Sequence, residues 1–276
     1  MVDCHMHMVL DGDWWRSAMD RHRQRPDISW IRKQLEIYRD RGFTWLRDGG
    51  DRLGAGKTAR ELASEYGICY RTPLSPLHWT GHYGGFIGTG FEDLKEFQLL
   101  AEQNRREGAD FIKVMISGLM DFDTCGKLTE EPLSPEQIRA IVHRVKDTGL
   151  SVMLHANGAR TVEAAALAGA DSVEHGAYGD EASLAAMAEN GVVWVPTFST
   201  VANLRGKGRH DEAAVEAICQ SFRENLQRFA AMGGVIASGS DAGAWQVTHG
   251  CDTEDGLLAA LGIDSTAGNQ AIQAKF

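Results

Sequence analysis

Val2-Asp3-Cys4-His5-Met6-His7-Met8 stands at the head of the chain and decides its reading. In an extended strand, residues two apart face the same side, so His5 and His7 project together while Cys4 and Met6 point the other way. Two imidazoles on one strand face are half of a metal site. The other half has to come from later elements, so the question becomes whether the remaining chain returns donors to the same place.

The later chain is punctuated regularly. An amphipathic run, a glycine and a short apolar run recur at Gly42 before Phe43-Thr44-Trp45-Leu46, at Gly67 before Ile68-Cys69-Tyr70, and at Gly108 before Phe111 to Ile116. The pattern returns at Gly149 before Leu150 to Leu154, at Gly169 before Ser172-Val173, at Gly191 before Val192 to Val195, and at Gly233-Gly234 before Val235-Ile236-Ala237. A glycine after a helical run is the usual left-handed C-terminal residue, and a short β-branched run behind it reads as a buried strand. Seven such returns plus the first strand predict eight strands. Ser134-Pro135-Glu136-Gln137 adds an N-cap serine, a proline at the first helical position and a capping-box glutamine, opening a helix that runs towards Gly149. Alternating helices and buried strands imply a parallel sheet, and eight units favour a closed (β/α)8 TIM-like barrel over an open sheet. The long connections, 9–27, 72–90, 117–133 and 196–210, all follow strands, which puts them on the C-terminal rim where barrels build their sites. No linker divides residues 1–276, so a single barrel domain is expected.

Composition narrows the partners. With 276 residues, 43% hydrophobic content and a formal net charge of −10, the chain is suited to a globular fold and poorly suited to nucleic-acid backbones, so small molecules are the expected ligands. Cys4, Cys69, Cys125, Cys219 and Cys251 are scattered and never form a Cys-x-x-Cys pair, which predicts free thiols and a cytoplasmic setting. No apolar run approaches the roughly 18 residues of a membrane span, so no membrane association is expected.

Polar residues at the strand ends converge on one chemistry. Strand 1 offers His5 and His7, strand 4 Lys113, strand 5 His155, strand 6 Glu174-His175, and strand 8 runs into Ser240-Asp241. Imidazole and carboxylate donors suit zinc or another borderline divalent ion. Lys113 does not fit so simply: an ammonium repels a cation, and its ordinary pKa near about 10.4 makes it a poor ligand at neutral pH. It has to lose its charge or be modified to belong.

With these residues in place the chain resembles the amidohydrolase superfamily of metal-dependent hydrolases, in the branch of imidazolonepropionase-like and prolidase-like (Xaa-Pro dipeptidase) enzymes. The matching pieces are Asp3-Cys4-His5-Met6-His7, Gly108 to Lys113, Leu154-His155-Ala156, Ser172-Val173-Glu174-His175-Gly176 and Gly239-Ser240-Asp241. The resemblance implies two divalent metal ions, zinc first among the candidates, bridged by a carbamylated Lys113 formed with carbon dioxide. It implies His5, His7 and Asp241 on one ion and His155 and His175 on the other, with Asp241 as general acid/base for a metal-bridging hydroxide. Amide hydrolysis of an N-acyl amino acid or dipeptide is the expected reaction. Lactonase, cyclic-amidase or phosphotriesterase activity is the alternative within the same site, and a barrel that binds metal or ligand without turnover the alternative outside it. Members of the branch usually carry a small flanking β-sandwich for which these residues leave little room, so the barrel bottom beneath strand 1 is expected to lack cover, which implies a true start upstream of Met1, a homo-oligomer contact there, or reduced stability.

For substrate binding, the stretch Pro76 to Gly85 offers His78, His82 and Tyr83 among glycines, and the connection after strand 7 offers Arg205, Lys207, Arg209 and His210, a basic cluster able to pair with a substrate carboxylate. Trp14 and Trp15 in the first connection either wall the site or pack on the barrel. Gly50 through Thr58 approaches a phosphate-binding loop, but the motif needs glycine where Asp51 stands, so nucleotide binding is not expected.

Overall fold

All seven of the glycines that end helical runs, Gly42, Gly67, Gly108, Gly149, Gly169, Gly191 and Gly233, lie at φ between 62° and 87°, a region closed to most other residues. The computed structural model describes residues 1–276. Its strands are β1 (Val2–Met6), β2 (Trp45–Asp48), β3 (Cys69–Arg71), β4 (Leu77–Trp79), β5 (Thr89–Phe91), β6 (Ile112–Met115), β7 (Val152–Ala156), β8 (Ser172–His175) and β9 (Val193–Val195). The helices are α1 (Trp15–His22), α2 (Ile28–Asp40), α3 (Ala55–Ala63), α4 (Leu94–Arg106), α5 (Pro135–Asp147) and α6 (Ala159–Leu167). They continue as α7 (Glu181–Glu189), α8 (Ser199–Ala202), α9 (Glu212–Ala231), α10 (Thr253–Ala260) and α11 (Thr266–Lys275). The capping box opens α5 as read from sequence: the Ser134 hydroxyl accepts from Gln137 N, and the Gln137 side chain accepts from Ser134 N.

Every pairing between these strands is parallel, in the orders β1-β2-β3 and β5-β4-β6-β7-β8-β9. The two runs meet on both sides. Asp110 N donates to Thr72 O between the end of β3 and the start of β6 (3.0 Å). On the other side, segment 235–242 bonds to β9 through Trp194 N to Val235 O (2.9 Å) and Ala237 N to Trp194 O (2.9 Å). It bonds to β1 through Cys4 N to Ser238 O (2.9 Å) and His7 N to Ala242 O (2.7 Å). The fold is thus the (β/α)8 TIM-like barrel, without a separate β-sandwich in these residues. No helix is long and apolar enough to cross a membrane.

Three local expectations change. The eighth position pairs too sparsely to be a regular strand, forming only the isolated bridges Trp194–Ile236 and Met6–Ala242 before Asp241 and Ala242 turn away. Connection 72–90 is not a plain loop: β4 and β5 lie within it, β4 pairing β6 on one edge and β5 on the other. The barrel bottom is also covered. Helix α11 brings Ile272 and Phe276 into an apolar cluster with Cys4, Trp45, Phe111 and Val193. It seats so closely that a Cβ on Gly268 would lie 1.9 Å from Ile236 O.

The phosphate-loop lookalike has its own explanation. Asp51 accepts hydrogen bonds from Leu53 N, Ala55 N and Gly56 N at the start of α3. A carboxylate already fills the place where a phosphate would bind.

Beside the rim, buried His249 ties α2 to the first connection: the Tyr38 hydroxyl donates to Nδ1 (3.1 Å) and Nε2–H donates to Leu10 O (2.8 Å). Burial pushes its pKa down to about 4, against a partly opposing contribution from the Leu10 carbonyl. Between pH 6.5 and 4 the unfolded chain therefore binds a proton that the folded one excludes, so acidification over that window favours unfolding. His249→Gln should lower stability at pH 7, and its deficit relative to wild type should shrink by up to roughly 3 kcal/mol towards pH 4. Urea titrations of both proteins at pH 7, 5.5 and 4 measure this.

Candidate metal centre and its cavity

The C-terminal ends of β1, β6, β7 and β8 and the turn after the eighth position bring six chemical side chains together. His5 and His7 come from β1 and its extension, Lys113 from β6, His155 from β7, His175 from β8, and Asp241 from the closing segment. Lys113 Nζ lies 3.2 Å from His5 Nε2 and 3.4 Å from His7 Nε2. Asp241 Oδ1 is 3.5 Å from both of these nitrogens. The His155 and His175 rings pack 4.4 Å apart between centroids, and His175 packs 5.2 Å from His5. Donor atoms of His5, His175 and Asp241 all lie within 4.8 Å of one another, a buried group able to hold a metal ion.

Two of these residues sit in strained backbone. His175 has φ 67° and Asp241 φ 54°, in the left-handed region that side-chain-bearing residues avoid. The strain is held by fixed hydrogen bonds. Trp194 Nε1 donates to His175 O (2.8 Å), Asp241 N donates to His5 O (2.6 Å), and Ser240 bonds through N and Oγ to buried Asp3. At His7 the constraint is absence of bulk: a Cβ on Gly49 would fall 2.1 Å from His7 Cε1.

Outer partners orient the rings. His5 Nδ1 meets Glu174 Oε2 at 2.7 Å, His175 Nδ1 meets Thr197 Oγ1 at 2.7 Å, and His155 Nε2 meets Gly118 O at 3.2 Å. Buried His7 Nδ1 has no protein partner. Burial, followed by the Lys113 charge for His7 and with it for His5, drives these imidazoles well below their ordinary pKa. Burial also lowers His175, and takes His155 to about 3. Burial likewise lowers Lys113 from the usual amine range and raises Asp241 from the usual carboxyl range, with the mutual attraction of the two opposing both shifts. The arrangement is a set of neutral nitrogen lone pairs beside a carboxyl group, short of positive charge, which is what a divalent cation supplies.

His7, Lys113, His155, His175 and Asp241 share the lining of a cavity of about 520 Å³, with His5 buried behind them. Aromatic groups from several connections form much of its wall: Trp14 and Trp15, Tyr83 and Phe86, Phe122, and Trp245. The Tyr83 ring stacks obliquely 4.9 Å from His155. Arg209 also lines the cavity, its guanidinium 4.2 Å over the Trp245 ring, and His210 lies beside it with Nδ1 3.1 Å from Asp123.

Not every residue singled out in the sequence reaches this wall. His78 turns into the packing around Gly84 and Gly90 on β4, with Nδ1 3.0 Å from Trp79 O. His82 pairs with Glu130 at 3.3 Å, and Arg205 faces Glu216 at 2.9 Å. Trp14, Trp15, Tyr83, Arg209 and His210 are the members of that set that line the cavity. Conversely, Arg47, Glu174, Thr197, Phe122 and Trp245 had no functional reading in the sequence. Glu174 was the legible one, since it stands directly before His175 on β8.

Fold and site together give a TIM-like barrel whose rim carries a buried group able to hold a metal ion. The sequence model of the Amidohydrolase family matches residues 57–270, and the chain belongs to that family. Ochratoxinase of Aspergillus niger is 26% identical over 274 residues, covering 87% of this chain and 56% of the fungal protein. Imidazolonepropionase of Mesorhizobium japonicum is 31% identical over 140 residues, 50% of this chain and 31% of that protein. The chain therefore spans about half, or less, of the length of these curated relatives. Among solved structures, a Xaa-Pro dipeptidase with bound methionine superposes with TM-score 0.74 at 22% identity, over 100% of this chain and 72% of the other. The A. niger ochratoxinase structure superposes with TM-score 0.76 at 22% identity, over 99% of this chain and 69% of the other. Both likenesses are of fold.

Because Gly49 packs on His7, Gly49→Ala should displace that imidazole and cost about 1–3 kcal/mol of overpacking. Urea unfolding gives the cost, and a shift of the His7 ring signals in NMR spectra, with those of His249 unmoved, locates it.

Proposed function

We propose that this chain forms the catalytic barrel of a divalent-metal-dependent amidohydrolase that cleaves the amide bond of a small carboxylate-bearing substrate, an N-acyl amino acid or a dipeptide. The observation that carries the reading is the convergence of His7, Lys113, His155, His175 and Asp241 at one wall of a largely apolar cavity, with His5 directly behind them. In this reading His5, His7 and Asp241 hold one ion, and His155 and His175 a second. Lys113 joins them as a carbamate: its amine, kept from full protonation by burial, adds to carbon dioxide and releases a proton, replacing a repelled ammonium by an anionic ligand. Divalent ions held there, zinc first among them, would acidify a water molecule and polarise the scissile carbonyl.

The chain's own groups do the rest. The Asp241 carboxylate takes a proton from the attacking water and returns it to the departing nitrogen. The aromatic wall excludes bulk water and receives the apolar part of the substrate. Arg209, held over Trp245, pairs with the substrate carboxylate. Five free thiols support a reducing, cytoplasmic setting.

A hydrolysis panel of N-acyl amino acids, dipeptides, lactones and phosphotriesters tests the reading on metal-loaded protein. Turnover confined to lactones or phosphotriesters, or none at all, would overturn it. Losing one charge-assisted contact of about 1.5–3 kcal/mol, Arg209→Ala should raise KM for the best carboxylate substrate roughly ten- to hundredfold. Arg205→Ala, whose side chain faces Glu216 off the cavity wall, should leave KM unchanged.

A further inference from the structure

Beneath the site, inside the barrel, lies a fully buried ion pair that the chemistry above does not use. Arg47 reaches from β2 across the interior to β8, and both Arg47 and Glu174 are 0% exposed. Its Nη2 donates to Glu174 Oε1 (2.9 Å) and Oε2 (3.0 Å), its Nη1 to Ser172 Oγ (2.9 Å), and its Nε to Cys4 O (2.6 Å). From below, the Phe276 ring packs 4.4 Å from the guanidinium. Ser172 Oγ in turn bonds Glu174 Oε1, and Glu174 Oε2 bonds His5 Nδ1 at 2.7 Å.

The protons in this chain can be followed from one end. A guanidinium can only donate. Ser172 Oγ, already accepting from Arg47, therefore gives its own hydrogen to Glu174 Oε1. The glutamate, facing Arg47 through both oxygens and Ser172 through one, is the acceptor throughout. The remaining contact then has one polarity: His5 Nδ1 carries the hydrogen, and Nε2 carries the lone pair aimed at Lys113, His7 and Asp241.

We propose that Arg47, Ser172 and Glu174 are positioning residues that lock His5 in its Nδ1–H tautomer and so present Nε2 to the metal site. The backbone is arranged for this. Glu174 and His175 are consecutive on β8 and would face opposite sides of a regular strand. The positive φ of His175 breaks the alternation, so that Glu174 serves His5 beneath the site while His175 serves the site itself. Carboxylate partners of ligating histidines act in this way in metal sites generally, and losing one typically costs ten- to hundredfold in metal affinity.

The inference rests on the metal role proposed for His5, and the test separates the two. Long-range proton–nitrogen NMR spectra of metal-free protein labelled with ¹⁵N-histidine, with His5 assigned through His5→Asn, should show His5 protonated at Nδ1. Protonation at Nε2 overturns the inference, whatever the metal content. Zinc competition against a chromophoric chelator should then show a ten- to hundredfold weaker affinity in Glu174→Gln, together with a shift of His5 towards the Nε2–H form. A folded Glu174→Gln protein with unchanged His5 signals and zinc affinity would also overturn it, since a purely structural pair would lower only the melting temperature. Should the lone Arg47 charge prevent folding of that variant, the charge-neutral Arg47→Met/Glu174→Gln protein is read in the same way. Failure of the metal reading itself looks different: wild-type protein that has the Nδ1–H tautomer and binds no zinc.

Discussion

Burial of ionisable groups at the rim is the constraint on which the rest of this structure depends. Lys113, Asp241 and four imidazoles are withdrawn from water within a few ångströms of one another, and desolvation pushes each towards its neutral form. A barrel would not gather such groups for packing, since buried polar atoms cost stability unless they are paired. Here the pairing is one-sided. The outer nitrogens of His5, His175 and His155 are satisfied by Glu174, Thr197 and Gly118, whereas His7 Nδ1 has no partner and the Nε2 atoms of His5 and His7 meet only each other, the Lys113 amine and the Asp241 carboxyl. A cation completes that set.

The scaffold serves the same end from below. Parallel strands direct every C-terminal end to one rim, and the helical outer layer buries both faces of the sheet. Departures from regularity fall where the site needs them: left-handed His175, left-handed Asp241, and the bent eighth position that ties Asp241 to β1. Arg47 and Glu174 cross the barrel interior as a fully buried pair, sealed by Phe276 from α11. Removing either partner alone would strand a charge at a typical cost of about 3–5 kcal/mol. His5 at the rim, the ion pair and Phe276 are therefore linked in one chain of contacts.

Much of this was legible in the sequence, for local reasons. A glycine that ends a helix leaves its mark whatever the tertiary context, so all seven returns could be read directly. Histidines at strand ends were equally visible, because strand alternation fixes their side. What escaped was non-local. Leu77–Trp79 is too short to declare itself a strand, and it becomes one only because the edges of β5 and β6 lie beside it. His78 looked like a pocket residue in a flexible loop, but those same glycines let the chain close over it. Arg205 and Arg209 are indistinguishable by composition; an acidic neighbour on α9 engages one, while Trp245 holds the other at the cavity. The barrel bottom, expected to lack cover, is closed by α11 because Gly268 permits contact with the backbone of the eighth position.

The central claim is a metal centre assembled around Lys113. Its most direct test is metal content per chain, by elemental analysis, of protein expressed with added zinc and bicarbonate, wild type beside Lys113→Ala. The account predicts about two ions in the wild type and a sharp fall in the variant, with both proteins folded. Little metal in either, or equal metal in both, would contradict it.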